Sequence, residues 1–283
     1  MRVKAGFPLT AFFRRPGTFR RVKKVAKRII LLALAVYFVP QILLVCVAFG
    51  LVDFIRNKPR RLETLDRYFF GNGFQAWVLS PFNLLMDVLT LPYWNKGIYE
   101  LADLPQGHRD EITSMIEAAY NSDVVGQLKE KMGDKPRGMI FFKWYGKNVD
   151  NAVNIPEFHR DYKYIRTIGV SIFNKKNSTS KHFGSFRMTL RVLYNVNDIT
   201  SDQVYIQVGD HFHYWRDNKL FIFDDTLQHQ SFNESDDLRF CMFVDILRPS
   251  LFPRLLSGIM GCVRTCLGGK FNPAFAKNWV MLK

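Results

Sequence analysis

Short runs of β-branched and aromatic residues, each closed by polar turn-forming residues, recur in the second half of the chain and predict a mainly β core. KLFIF, ending at Phe223, and RFCMFVDIL, from Arg239 to Leu247, read as neighbouring strands with a polar connection between them. Upstream, the period changes. DEITSMIEAAYNSDVVGQLKEKM, from Asp110 to Met132, reads as one or two helices leading into that core. After the core, Phe252, Leu255, Leu256, Ile259, Met260 and Val263 recur at helical spacing beside Arg254 and Arg264, which predicts an amphipathic C-terminal helix.

The N-terminal pattern is different in kind. Residues 1–28 hold ten Lys or Arg and no acid, and they run into a stretch that is uncharged from Ile29 to Val52. Such a run is long enough to span a bilayer. It exceeds the apolar part of a signal peptide, and no small-residue cleavage site follows it. Pro40 near its middle, with Arg56, Lys58, Arg60 and Arg61 after it, leaves open a kinked or re-entrant segment that returns to the side it entered from. Residues 69–95 are aromatic and apolar but broken by Gly71, Asn72, Gly73, Asn83 and Asp87, a pattern of interfacial rather than spanning sequence.

Charge sharpens the division. Residues 1–61 carry fourteen basic residues against the single Asp53, which is thirteen of the net fifteen positive charges. The remainder is nearly neutral, so the basic pI belongs to a membrane-flanking segment and not to a nucleic-acid surface. We therefore divide the chain into a basic N-terminus and anchor (1–61), a juxtamembrane region (62–110), a catalytic domain with its helical lead-in (111–249) and an amphipathic tail (250–283). Four cysteines, one of them Cys46 in the apolar run, give no disulfide framework. Cys262 and Cys266 share a helical face and read as small packed thiols, with lipidation as the alternative.

Six histidines limit the candidate chemistry: His108, His159, His182, His211, His213 and His229. His229 sits between the two predicted strands, and Arg239 follows ten residues later. A neutral imidazole suits a metal, and a planar guanidinium suits the far carboxylate of an acidic cosubstrate. A polar surface loop carries the same pattern. His211 and His213 share one strand face, but nothing nearby supplies the further ligands of a structural zinc site, and a solvated hairpin face accounts for them.

The order IFDDTLQH, an arginine ten residues after its histidine, then FVDILRP resembles the aspartyl/asparaginyl β-hydroxylase family of iron(II) and 2-oxoglutarate dioxygenases, which includes bacterial hydroxylases of lipid A and ornithine-lipid acyl chains. The similarity runs from about Trp144 to Pro249. It implies a double-stranded β-helix of the jelly-roll or cupin-like class, with iron(II) as cofactor and 2-oxoglutarate and dioxygen as cosubstrates. In the family this histidine binds iron and this arginine grips 2-oxoglutarate. The family's other iron ligand lies eleven residues after a strand serine, which carries over from Ser171 to His182 within SIFNKKNSTSKHFG. His182-Phe183-Gly184 matches the family's His-x-Gly, in which the usual carboxylate is absent and water takes its place.

The resemblance further implies Ser171, Arg187 and Thr189 as cosubstrate contacts, with Thr189 where the family has histidine. One departure stands out. The family spaces the histidine and this arginine by nine residues, whereas His182 precedes Arg187 by five, which implies a four-residue deletion. Counting back from Arg187 instead places the ligand at Ser178, which cannot replace imidazole and implies a degenerate site. Asp224 and Asp225 are expected to orient the loop and ring, and Trp215 to pack. The function expected is hydroxylation of an acyl chain of a membrane lipid from the cytoplasmic face. The alternatives are a protein aspartyl/asparaginyl hydroxylase and a degenerate membrane interaction protein on the same fold.

Overall fold

The computed structural model describes residues 26–27, 29–30, 33–34, 36–151, 153, 155–266 and 279–282. Two units are distinguished, Met1–Ala48 and Phe49–Lys283, with the boundary inside helix α1 (Pro40–Phe54). Residues 1–25 and 28, most of the expected basic N-terminus, lie outside the described residues, as do residues 31, 32 and 35 of the apolar run and residues 267–278 of the tail.

Proline shapes what is described of the apolar run. Pro40 opens α1, where its missing N–H leaves no hydrogen bond unmade, and it keeps the preceding residue out of the helical region, so Val39 is not helical. Among the described residues no helix is long and apolar enough to cross a membrane. The described residues thus give the expected membrane segment no support from a spanning helix. The apolar side chains are nonetheless exposed: Ile42 is 62% and Leu44 70% accessible.

Within the second unit, α2 (Leu62–Phe69), α3 (Phe74–Val78) and α4 (Ser80–Leu89) precede β1 (Ile98–Tyr99) and a 3-10 turn. The expected helical lead-in forms as α5 (Gln106–Asn121) and α6 (Val124–Met132), the latter capped by Asp123 accepting from the Gly126 amide at 3.1 Å. Then follow β2 (Arg137–Trp144), β3 (Lys147–Asn148), α7 (Pro156–His159), β4 (Ile165–Phe173), β5 (Asn177–Ser178), β6 (Thr189–Asn195), β7 (Val204–Val208) and β8 (His211–Tyr214). β9 (Leu220–Phe223), β10 (His229–Asn233), β11 (Arg239–Leu247), α8 (Pro253–Cys266) and β12 (Val280–Met281) complete the described chain.

The core is mainly β. Among the described residues one sheet runs β1-β9-β6-β11-β4-β2-β12, with β3 beside β2, and a smaller one runs β5-β10-β7-β8. From β4 to β11 the chain passes back and forth between the sheets. Alternation within strands then sorts the side chains. Phe240, Met242, Val244 and Ile246 of β11 join Ile168, Val170 and Ile172 of β4 in a core closed by Ile112, Met115 and Leu128 of α5 and α6. The opposite face of the large sheet meets the small one, where Phe243 of β11 and Phe221 of β9 pack on Val204, Ile206 and Val208 of β7. Gly169 is required there, because a Cβ would stand 2.5 Å from the Phe243 ring.

Six charged groups fasten the helices to this sandwich. Arg187 meets Asp53 of α1, Asp87 of α4 at 2.7 Å and Asp224 at 3.4 Å, while Arg56 reaches Asp224 at 2.7 Å and Arg248 reaches Asp87 at 2.6 Å. Three carboxylates and three guanidiniums balance. The C-terminal helix α8 packs on the body through Leu256 and Met260 against Met86, Met188 and Leu247, and leaves Leu251, Phe252 and Leu255 exposed around its start.

Candidate active site

Between the sheets lies a cavity of about 330 Å³, and the sequence-derived residues His182, His229, Ser171, Thr189 and Arg239 all line it. The two histidines are brought together by a short antiparallel bridge. The His182 amide donates to the His229 carbonyl at 3.0 Å, and the reverse bond is 2.9 Å. Their ring centroids stand 4.1 Å apart.

Each ring is oriented by its own local turn. Nδ1 of His182 lies 2.8 Å from the Ser180 carbonyl and Nδ1 of His229 lies 2.8 Å from that of Leu227, so both donate there and both Nε2 atoms keep their lone pairs. Burial lowers the pKa of both rings, and at His229 the neighbouring His182 lowers it further. Neutral, tautomer-locked imidazoles with free Nε2 atoms are what a divalent metal takes as ligands.

Asp225 is the third feature. Its Oδ1 is buried without a hydrogen-bond donor, 3.3 Å from His229 Nε2. Gly184 allows this arrangement: a Cβ there would overlap the Asp225 carboxylate, with Cγ and the Asp225 carbonyl oxygen both at 2.7 Å. The space of the side chain missing from His-x-Gly is thus filled by a carboxylate from the facing segment. Among the described residues no three His, Cys, Asp or Glu side chains converge closely enough to hold an ion by themselves. The donor set fits iron(II) as two imidazoles with an unsatisfied acceptor beside them, leaving positions for ligands from outside the chain.

Adjacent Asp224 points the other way. It accepts from Thr226 N at 2.9 Å and Thr226 Oγ1 at 2.7 Å, shaping the turn that carries His229, and it accepts from Asn95 at 2.7 Å. Burial alone would raise its pKa, but Arg56, Arg187 and Arg248 outweigh that and hold its carboxyl below the usual range.

Arg239 occupies the cavity end as a buried cation with no carboxylate partner among the described residues. Nε donates to Asn195 Oδ1 at 3.2 Å, the guanidinium lies 4.6 Å over Trp215 and 5.2 Å from the Phe173 ring, and Nη1 is buried without an acceptor. Burial lowers its pKa. Trp215 therefore does more than pack: its ring supports this cation. Ser171 donates to the Cys241 carbonyl at 3.1 Å, so its lone pairs rather than its proton face the cavity.

Arg187 is the correction. It does not line the cavity; Asp224, Asp53 and Asp87 surround it and raise its pKa against the lowering effect of burial. Nine residues after His182 stands Arg191, whose side chain does line the cavity, with Nε 2.7 Å from Asp245 and Nη2 3.3 Å from Asp225. The family's nine-residue spacing is met without a deletion, and two residues further on the position of the family's histidine falls to Leu193. Ser178 is exposed on β5, away from the cavity. Arg191, Asp245 and Asn195 were missed by sequence reasoning, although that spacing pointed to the first. His211 and His213 stack on Phe221 at 5.7 and 4.5 Å, and His213 Nε2 bonds the Asn218 carbonyl at 2.9 Å, so aromatic packing accounts for them.

The sequence profile of the family described as Aspartyl/Asparaginyl beta-hydroxylase matches residues 109–249. An ornithine lipid ester-linked acyl 2-hydroxylase from Rhizobium tropici is 30% identical over 90 residues, which cover 31% of this chain and 32% of that protein. The match thus spans about a third of that relative's length. Among solved structures, a salicylate 1,2-dioxygenase from Pseudaminobacter salicylatoxidans is 9% identical with a TM-score of 0.29, over 48% of this chain and 34% of that one. A cupin superfamily protein from Desulfitobacterium hafniense DCB-2 is 14% identical with a TM-score of 0.22, over 29% and 65%. Structural likenesses this slight carry no weight here.

Proposed function

Since residues 109–249 belong to the aspartyl/asparaginyl β-hydroxylase family, we propose that this protein is a membrane-associated iron(II)- and 2-oxoglutarate-dependent dioxygenase that hydroxylates an acyl chain of a membrane lipid. The observation that carries this reading is Arg239: a buried guanidinium without a carboxylate, in the same cavity as two neutral imidazoles with free Nε2 atoms. The passage of the chain between two facing sheets supports a double-stranded β-helix.

In this reading His182 and His229 hold the ion through Nε2. Asp225 Oδ1 is the acceptor left open for whatever completes its coordination, and Arg191 holds the Asp225 carboxylate in place. Arg239 pairs with the far carboxylate of 2-oxoglutarate, with Ser171 and Thr189 along the path. When bound, iron(II) supplies the oxidising chemistry that turns 2-oxoglutarate and dioxygen into succinate and carbon dioxide and places one oxygen atom on a C–H bond. The chain supplies position and the exclusion of water: Met139, Phe141, Phe186, Met188 and Phe243 give the cavity an apolar wall suited to a methylene chain.

The relative from Rhizobium tropici is named for hydroxylating a lipid acyl group, which favours a lipid substrate. Exposed Ile42, Leu44, Phe252 and Leu255 and the basic first 61 residues favour attachment to a membrane, with the catalytic domain on the cytoplasmic face where the cosubstrate is at hand. The test is succinate formation by purified protein with iron(II), together with mass spectrometry of membrane lipids from cells with and without it. Turnover should vanish in His182→Ala and in His229→Ala, and a lipid heavier by one oxygen should depend on both residues. Unchanged turnover in either variant would overturn the site. Turnover on an Asp- or Asn-containing peptide without any altered lipid would move the substrate to protein side chains.

A further inference from the structure

A second, open cavity, of about 830 Å³, is lined by residues of the second unit, between the end of α1, α4, the connection after α4 and the turn between β7 and β8. Its wall is apolar, built by Ile55, Leu84, Val88, Leu91 and Trp94, of which Trp94 is 76% and Val88 62% accessible. Its rim is basic: Arg56, Lys58, Arg60 and Lys96 face Asp87 and Asp210. Most of these charges are engaged, Arg56 by Asp224, Lys96 by Asp103, and Asp87 by Arg187 and Arg248. Lys58 and Arg60 meet no carboxylate among the described residues, and both are exposed.

The two free cations stand on a fixed loop. Buried Asn57 accepts from the Gln228 amide at 2.9 Å, Arg60 Nε donates to the Ile55 carbonyl at 2.9 Å, and Thr64 Oγ1 donates to the Pro59 carbonyl at 3.1 Å. Gly209, at φ +60°, lets the Lys58 carbonyl approach where a Cβ would stand 2.6 Å away. An open apolar wall beneath unpaired cations matches an amphiphile with an anionic head, because the apolar part leaves water while the head meets positive charge at the mouth. A free anion would leave the wall unused.

We propose that this cavity binds an anionic phospholipid, with the phosphate at Lys58 and Arg60 and an acyl chain along Val88, Leu91 and Trp94. Leu227 lines this cavity while Asp225 and His229, two residues to either side, line the other, so the lipid lies against the segment that carries the histidine site. The assignment rests on the lipid-hydroxylase reading only in preferring a lipid as the amphiphile.

The experiment needs neither metal nor 2-oxoglutarate. Full-length protein in uncharged detergent is titrated by native mass spectrometry with dioctanoyl phosphatidylglycerol, dioctanoyl phosphatidylcholine and inorganic phosphate. Phosphatidylglycerol should bind one to one and most tightly. The double variant Lys58→Ala, Arg60→Ala should weaken it about thirtyfold, and Val88→Asp by about tenfold or more. Circular dichroism checks that both variants fold, and His229→Ala should bind as the unaltered protein does. Equal affinity for phosphatidylcholine, displacement of the lipid by equimolar phosphate, or unchanged binding in both variants would each overturn the proposal. So would a dimer that these substitutions split, which would give the cavity to a second copy of the chain. Intact binding with no succinate formation would sink the hydroxylase reading and leave this one standing.

Discussion

Replacing Arg239 by Met separates a structural cation from a cosubstrate-binding one, because the two roles predict opposite results. An uncompensated buried charge costs about 3–5 kcal/mol. Against this, the Trp215 and Phe173 rings return about 0.5–2 kcal/mol each, and the bond to Asn195 about 1.5–3 kcal/mol. The free protein is therefore near balance at this position, and Arg239→Met should change its stability by no more than about 1–2 kcal/mol. Binding is another matter. A two-pronged guanidinium–carboxylate contact contributes at least one charge-assisted hydrogen bond beyond what a point charge can make, about 1.5–3 kcal/mol, so Arg239→Lys should raise the 2-oxoglutarate requirement about tenfold or more. Arg239→Met, losing both bonds, should raise it at least about a hundredfold. Calorimetric melting with and without 2-oxoglutarate reads both quantities: at a hundred times its Kd the ligand stabilises the unaltered protein by about 2.7 kcal/mol, a gain that should fall to about 0.4 kcal/mol or less in the Met variant. A loss of more than about 3 kcal/mol in ligand-free Arg239→Met, or retention of the full ligand-induced gain, would refute the cosubstrate role.

Arg187→Met should leave Asp53, Asp87 and Asp224 short of a partner and lower stability by about 3–5 kcal/mol, while the 2-oxoglutarate saturation curve of the folded fraction stays in place. Arg191→Met should instead shift that curve; a shift at Arg187 alone would restore the five-residue spacing. His108 offers a test by pH. Its Nε2 donates to the Leu247 carbonyl at 3.1 Å while Nδ1 is buried without a partner, and burial lowers its pKa from 6.5 to about 4. Above pH 6.5 the ring is neutral folded or unfolded; between 6.5 and about 4 only the unfolded chain takes up the proton, so stability falls as pH falls. The loss approaches ~3 kcal/mol at about 1.4 kcal/mol per unit. His108→Gln keeps a donor but does not titrate, so melting temperatures from pH 7 to 4 should decline less steeply in that variant; equal slopes would refute the assignment.

Local pattern was enough to place the strands that matter. The near-continuous run of β-branched and aromatic residues in RFCMFVDIL marks β11 because a strand buried on both faces tolerates apolar residues throughout, and the helical spacing within Asp110 to Met132 marks α5 and α6 because each packs one face on the core. His229 and Arg239, at the starts of consecutive strands, were legible from spacing together with the family's motif. What sequence could not decide is which of two arginines four residues apart faces the cavity. Arg187 and Arg191 have the same parity, so strand alternation points both the same way. The choice is made by Asp53 and Asp87, a hundred or more positions upstream in the chain, which draw Arg187 out of the site before β6 begins. The same holds for Asp224 and Asp225. Their identity promised a turn, but only the convergence of Arg56 and Arg187 on one, and the room left by Gly184 for the other, assigns the first to holding the fold and the second to the histidines. Periodicity is local and is written into neighbouring residues; charge pairing across a hundred residues is settled by the packing of helices onto the sheet, which nothing in the local pattern encodes.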